Sequence, residues 1–189
     1  MDKDLRPVLL LDFDDVLCIN RPYGGFDAKL ALSQFEGVPV DRPESPPDLW
    51  TKLFDTTAKE LLARIDSEFH PWYVLTTSWW WHFTYEEFVD ILSRCGLDFI
   101  RRNLHSNWAP PKASRPAARW AEVEKWIETN PACSQLWVVL DDELSGTGLR
   151  ERHREHEAPF IVLCREGVGL TVLEYAKVRA GFVRRLSQT

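Results

Sequence analysis

A chain of 189 residues is long enough to bury a sizeable core, and we expect a single domain over residues 1–189. Its 44% hydrophobic and 28% charged content is typical of a soluble globular protein. The net charge of −6 argues against a protein that wraps nucleic acid by bulk electrostatics, although it leaves room for a local basic patch.

The cysteines and the first residues predict a cytoplasmic protein without a membrane-spanning segment. The four cysteines are scattered and form no Cys-x-x-Cys pair, as is usual for reduced thiols, and the histidines are not spaced to complete a zinc site. The chain starts without signal-peptide character, and no apolar run approaches the length of a membrane span. The sequence does not indicate an oligomeric state.

The first strong element is an apolar strand, Val8–Leu11, that runs directly into acidic residues. Four consecutive apolar residues favour a fully buried strand, and Asp12, Asp14 and Asp15 follow it. The carboxyl end of such a strand is a usual place for a site in an open α/β sheet. Because carboxylates this close repel one another, a divalent cation is the partner we expect for them.

The next stretch, residues 18–47, is rich in proline and glycine and predicts a flap of loop and short hairpin. Tyr23 and Phe26 in this flap are candidates for the rim of a site. A helix is then predicted with Asp48 as its N-cap, and apolar residues recur at helical spacing from Leu49 to Ile65.

A second buried strand, Trp72–Leu75, ends in the hydroxyl residues Thr76, Thr77 and Ser78. The run Trp79 to Trp81 follows at once. Three adjacent tryptophans cannot all face one core from a single regular element, so we expect at least one near the surface. Core packing is the expected role of most tryptophans, and the run Trp79 to Trp81 is also a candidate for the rim of the site.

Two more helices are predicted in the middle of the chain. Thr84 and Glu87 form a capping box for the first, which ends at Gly96. Residues 98–106 contain a weak signal for a strand. Ser114 is a plausible N-cap for the second helix, which Asn130-Pro131 ends.

A third apolar strand, residues 136–140, ends in Asp141 and Asp142. Two acid-ended strands that are neighbours in a parallel sheet bring their carboxylates together, and one cation can then bind both. A last strand, residues 160–164, and a helix capped by Thr171 complete the alternation of strands and helices. This alternation predicts a parallel sheet with right-handed crossovers.

The order of these motifs resembles that of the haloacid dehalogenase-like phosphohydrolases. The resemblance rests on Asp12-x-Asp14 after a strand, a hydroxyl residue at Thr76, a basic residue before or in a helix, and late acids after another strand. Asp15 departs from the pattern, in which glycine is the usual residue. The resemblance implies an α/β fold, a three-layer α/β/α sandwich of Rossmannoid type around a central parallel sheet, with a minimal cap.

The resemblance also implies the site residues. Asp12 is the implied nucleophile, Asp14 the acid and base, and Thr76 and Lys112 hold the phosphoryl group. Mg²⁺ is the implied cofactor, with ligands from Asp12, the backbone carbonyl of Asp14, and either Asp141 or Asp142, between which the sequence does not choose. Thr77 and Ser78 stay open as alternatives to Thr76. Lys125, Arg115 and Arg119 stay open as alternatives to Lys112.

We therefore expect a Mg²⁺-dependent phosphatase that hydrolyses phosphomonoesters through an aspartyl-phosphate. The alternatives are a catalytically silent phosphate-binding or scaffold module and a phosphatase that processes nucleic-acid ends. A response-regulator receiver is disfavoured, because here an acid pair follows the threonine and lysine in the chain. The negative charge ranks a small phosphorylated molecule above a polynucleotide end as the partner.

Overall fold

The computed structural model describes residues 6–35, 38–111, 118–152 and 158–188. Strands and helices alternate along most of this length. In chain order the elements are β1 (Val8–Leu11), α1 (Gly25–Ala31), β2 (Leu32–Phe35), β3 (Val38–Asp41), α2 (Leu49–Lys52), α3 (Thr56–Phe69), β4 (Trp72–Leu75), α4 (Tyr85–Arg94), α5 (Asp98–Arg102), α6 (Arg119–Thr129), β5 (Trp137–Asp142), α7 (Leu149–Arg152), β6 (Ile161–Cys164) and α8 (Val172–Leu186).

The central sheet contains four parallel strands in the order β4-β1-β5-β6. β1 is an inner strand, and all four of its residues are buried, as its apolar run predicts. Leu11 pairs with Leu75 on one side and with Leu140 on the other. The residues that follow these three positions therefore meet at one edge of the sheet.

The two faces of the sheet carry separate cores. Leu9 and Leu11 lie in a core that α3, α4 and α8 cover. Val8 and Leu10 point to the opposite face and pack with Trp126 of α6. The alternation follows from the two-residue period of a strand. The predicted three-layer α/β/α sandwich with a central parallel sheet is confirmed.

The predicted flap contains a hairpin and a helix. β2 and β3 pair antiparallel, in agreement with the expected hairpin, whereas α1 was not predicted. Asp27 caps this short helix by accepting a hydrogen bond from the Gly24 N–H at 2.8 Å. Gly25 faces the indole of Trp79 so closely that a Cβ atom would lie 2.6 Å from the ring. Glycine at this position therefore lets α1 approach Trp79.

The prediction of one helix from Leu49 to Ile65 is wrong, because the chain forms two helices there. Asp55 ends the first segment and caps α3 by accepting a hydrogen bond from the Ala58 N–H at 2.8 Å. Asp48 occupies the predicted N-cap position, that of α2, but its side chain makes no capping hydrogen bond there and accepts one from the hydroxyl of Tyr23. The apolar period continues across this break, which hides it from a reading of the pattern alone.

Two other expectations from the middle of the chain also differ. Residues 98–106 were expected to hold a strand, but they form α5 and an isolated bridge between Leu104 and Tyr73. The predicted helix start at Ser114 lies outside the described residues, and α6 begins at Arg119. Within the described ranges, no helix is both long enough and apolar enough to cross a membrane.

Candidate active site

Three aspartates converge at the carboxyl edge of the sheet. Asp12 directly follows β1, and Asp141 and Asp142 are the last residues of β5. All three are almost fully buried. One carboxylate oxygen from each lies within 4.8 Å of the others. Adjacent parallel strands thus bring Asp12 to the pair Asp141 and Asp142, which lies far from it in sequence.

A buried arginine lies against these carboxylates. Arg119, whose side chain is 7% exposed, places Nε 2.9 Å from Asp141 Oδ2 and Nη2 3.4 Å from Asp12 Oδ1. Its Nη1 donates to Glu122 at 2.9 Å. Thr147, in the loop after β5, accepts hydrogen bonds from the N–H groups of Arg119 and Trp120 and so holds the start of α6 at the site.

Burial dominates the electrostatics of the cluster. It raises the pKa of Asp12 well above its usual range, and repulsion from Asp141 adds to the rise while Arg119 opposes it. The pKa of Asp141 rises to about 7, again mainly through burial, with Arg119 as the main opposing influence. One guanidinium thus faces several buried carboxylates, and a further positive charge would stabilise their ionised forms.

Several buried oxygens at the site have no hydrogen-bond partner among the residues that the structure describes. They are Asp12 Oδ2, Asp141 Oδ2 and Thr76 Oγ1. The contact between Arg119 Nε and Asp141 Oδ2 is close but lacks hydrogen-bond geometry, so it is an ion pair only. Buried polar atoms are nearly always paired in folded proteins, and exceptions are typical of sites that bind an ion or ligand. Carboxylate oxygens are ligands that Mg²⁺ prefers, so these residues fit a magnesium ion.

Asp142 has a second set of contacts within its own turn. Its Oδ1 accepts hydrogen bonds from the N–H groups of Leu144 and Ser145, and its Oδ2 accepts one from the Ser145 hydroxyl. The Asp142 N–H in turn donates to Asp141 Oδ1 at 2.9 Å. These bonds fix the turn that holds both acids and leave Asp141 Oδ2 facing the cluster.

Asp14 lies apart from the three clustered carboxylates. It is half-buried, and its Oδ2 accepts a hydrogen bond from Trp79 Nε1 at 2.9 Å. Burial raises the pKa of Asp14, and the hydrogen bond from Trp79 acts in the opposite direction. The structure therefore groups the carboxylates of Asp12, Asp141 and Asp142 and directs that of Asp14 toward Trp79. The ligand expected from Asp14 is its backbone carbonyl, and this stays a prediction.

The tryptophan run is divided between core and surface. Trp79 and Trp80 are buried, while Trp81 is 39% exposed and stacks on Trp80 with 4.5 Å between ring centroids. The expectation that at least one of the three lies near the surface is confirmed. The bond from Trp79 to Asp14 was missed, because the sequence offers no signal for a contact between residues so far apart.

Asp15 adopts a backbone conformation that explains the departure from the family pattern. Its φ of 51° lies in the left-handed region, where glycine is the usual residue and aspartate is one of the few tolerated replacements. The Asp15 side chain accepts a hydrogen bond from the Gly167 N–H at 2.7 Å. Aspartate therefore supplies a tether that glycine lacks.

Only some of the candidates for the basic residue of the predicted site lie within the described residues. Lys112 lies outside the described residues. Lys125 is 59% exposed and pairs with Glu128 on the outer face of α6, away from the acids. Thr76 follows β4 beside Asp12, and its N–H donates to the Leu11 carbonyl at 2.9 Å. Among the described basic residues that the sequence left as alternatives, Arg119 is the one in contact with Asp12.

The fold and the acid cluster together define a haloacid dehalogenase-like domain. Residues 8–174 match the family described as the HAD domain in Swiss Army Knife RNA repair proteins. Because this match covers most of the chain, the protein belongs to that family. The family assignment indicates a hydrolase. No curated protein and no solved structure matches the chain.

Proposed function

We propose that this protein is a Mg²⁺-dependent phosphohydrolase that removes a terminal phosphate from RNA. The observation that carries the proposal is the position of Asp12. It has a buried carboxylate oxygen without a hydrogen-bond partner in the described part of the chain, and it lies between Thr76 and Asp141 at the ends of neighbouring strands. An oxygen in this setting is suited to attack a phosphorus atom that the surrounding groups hold.

Asp12 and Asp14 have separate roles in the proposed reaction. A carboxylate oxygen of Asp12 bonds to phosphorus while the bond to the leaving oxygen breaks, and Asp14 gives its proton to that oxygen. Asp14 then takes a proton from water, the water oxygen bonds to phosphorus, and the bond to Asp12 breaks. Inorganic phosphate and free Asp12 result. The raised pKa of Asp14 suits a group that must first carry a proton.

Asp12 and Asp141 are the proposed magnesium ligands, and Asp142 fixes the turn that carries Asp141. Asp141 is preferred because its Oδ2 has no hydrogen-bond partner within the described ranges, whereas both oxygens of Asp142 accept hydrogen bonds. The cation when bound supplies positive charge for the phosphoryl oxygens.

Thr76 and Arg119 are the proposed donors to the phosphoryl oxygens. The Thr76 hydroxyl is buried and has no hydrogen-bond partner among the described residues, and Arg119 already lies 3.4 Å from Asp12. A guanidinium can hold two oxygens at once, and preorganised donors stabilise the charge that develops during transfer. Lys112 stays a prediction for the same role.

The family description favours RNA as the carrier of the phosphate. The ranking from the sequence, with a small molecule ahead of a polynucleotide end, rested on the net charge of −6 and has no support from the family assignment. A phosphatase for chain ends has to bind only the end of the strand. We therefore place the terminal phosphate of RNA first.

Turnover of an aryl phosphate, with Mg²⁺ or with EDTA, tests the chemistry. Asp12→Asn should abolish turnover while the far-ultraviolet spectrum stays unchanged, because a neutral amide is a poor nucleophile. Asp98→Asn is the matched control, since Asp98 is an exposed carboxylate on α5. Normal turnover by Asp12→Asn would refute the mechanism.

Oligoribonucleotides test the substrate. Chains with a 5′-phosphate, a 3′-phosphate or no phosphate are incubated with the protein, and released inorganic phosphate is measured. Faster release from a phosphorylated RNA end than from small phosphomonoesters supports the proposal. Efficient release from small phosphomonoesters alone would restore the small-molecule ranking.

A further inference from the structure

A cavity of about 550 Å³ opens beside Asp14. It lies between α1 of the flap and the short 3₁₀ helix Ser78–Trp81. The residues in its wall that bear on its chemistry are Asp14, Phe26, Lys29, Trp79, His82 and Phe83. Its volume is in the range of sites that hold a small organic ligand, roughly 300–1,000 Å³.

The proposed reaction fixes what must enter this cavity. In phosphoryl transfer the attacking and leaving oxygens lie roughly in line on opposite sides of phosphorus. Asp14 must reach the leaving oxygen to protonate it, so the group that carries this oxygen lies on the side of Asp14. The cavity with Asp14 in its wall is therefore the space for the leaving group.

Two residues of α1 give the cavity mouth its chemistry. Phe26 is 76% exposed, and Lys29 carries a side chain that is 46% exposed. Residues three apart on a helix lie on the same face, so the aromatic ring and the ammonium group are neighbours there. Lys29 contacts Glu87 at 3.4 Å, but an ammonium group has three donors and can bind a second anion.

Proteins that bind single-stranded nucleic acid combine exposed aromatic rings with basic groups. Bases stack on aromatic side chains without sequence preference, and basic groups contact the backbone. Gly25 keeps α1 against Trp79, so the ring of Phe26 is carried on an element that is packed beside the proposed proton donor. Phosphate, sugar and base of one nucleotide can therefore extend outward from the acids to the flap.

We propose that this cavity is the subsite for the nucleoside that carries the terminal phosphate. The base stacks on Phe26, and Lys29 contacts the next phosphate of the strand. This inference rests on the proposed function and adds the residues that select a polynucleotide end over a small phosphomonoester. Lys29 also gives the cavity mouth the positive charge that an RNA backbone requires, in a protein whose net charge is −6.

The test compares a phosphorylated tetraribonucleotide with glycerol phosphate, which has no base. Phe26→Ala should lower kcat/KM for the tetranucleotide by about 5- to 150-fold, the range for loss of one base stack, mainly through KM. The loss for glycerol phosphate should be several times smaller. Lys29→Gln should reduce the slope of log kcat/KM against log salt by about 0.7, the value for one contact to a single strand.

Matched controls come from the same region of the surface. Phe35→Ala removes a ring that is 65% exposed on β2, and Lys52→Gln removes an exposed lysine of α2. Neither residue lines the cavity, and both variants should match the wild-type protein on both substrates. Equal losses on the two substrates, or losses in the controls as large as in the cavity variants, would overturn the subsite.

A binding measurement tests this inference independently of the proposed reaction. Fluorescence anisotropy measures the affinity of Asp12→Asn for labelled tetranucleotides with a 5′- or a 3′-phosphate, with and without Phe26→Ala. Weaker binding in the double variant supports the subsite and shows which end it accepts. Equal binding overturns the subsite. Failure of the wild-type protein to hydrolyse any phosphomonoester refutes the reaction, and the binding result then decides the subsite by itself.

Discussion

Arg119→Ala removes the guanidinium that lies between Asp12 and Asp141. Loss of one partner from a buried ion pair typically destabilises a protein by roughly 3–5 kcal/mol, because a buried charge is left uncompensated. For a protein of this size that corresponds to a fall in Tm of roughly 6–20 °C. Activity should fall by about 10²-fold or more, as for loss of one transition-state donor.

The size of the stability loss should depend on pH. Asp141 has a pKa of about 7 in the folded protein, well above its value in an unfolded chain. An acid whose pKa is raised by folding destabilises the protein progressively as the pH rises between those two values. Without Arg119 this penalty is larger, so the deficit should be greatest near pH 8 and smallest near pH 5.

Calorimetry in EDTA across this pH range, together with turnover in Mg²⁺, measures both effects. Lys125→Ala is the control, since Lys125 is exposed on the same helix and should matter to neither quantity. An unchanged Tm and near-normal turnover for Arg119→Ala would refute the role given to this arginine. A large loss of turnover in Lys112→Ala at the same time would assign the role to Lys112.

Three further predictions concern the remaining parts of the site and the helix behind it. Trp79→Phe should reduce kcat and move the alkaline limb of the pH–rate profile to higher pH. The reason is that the hydrogen bond from Trp79 lowers the pKa of Asp14, so its loss raises that pKa. An unshifted profile would contradict this. Mg²⁺ should raise the Tm more at pH 8 than at pH 5, because protons compete for the oxygens of Asp12 and Asp141; equal shifts in scanning fluorimetry would argue against this site. Asp55→Ala should cost about 0.5–2 kcal/mol in urea unfolding through loss of the α3 cap, with kcat unchanged; a change in kcat would count against a purely structural role.

The parts of the fold that the sequence predicts are those where burial acts on the whole element. β1 and the first four residues of β5 are continuous apolar runs, because both faces of each strand are covered. Once both are parallel and adjacent, their following acids must meet, so the convergence of Asp12 and Asp141 could be predicted.

The features that were missed depend on contacts between distant segments or on single polar bonds. The break between α2 and α3 depends on the cap at Asp55 and leaves the apolar period intact. Arg119 was only one of several open alternatives, because its place at the site depends on the hydrogen bonds to Thr147 across the next strand. The hydrogen bond from Trp79 to Asp14 likewise depends on how closely α1 approaches the Trp79 ring.

The loop after β1 is completed by a distant part of the chain. Gly167 donates to the side chain of Asp15, and the Leu170 N–H donates to the Val16 carbonyl at 2.9 Å. During synthesis the loop that carries Asp14 therefore has to wait for more than a hundred further residues before these two bonds can form. We expect a ribosome-bound chain that stops before Gly167 to contain every proposed catalytic residue and yet lack the finished catalytic loop.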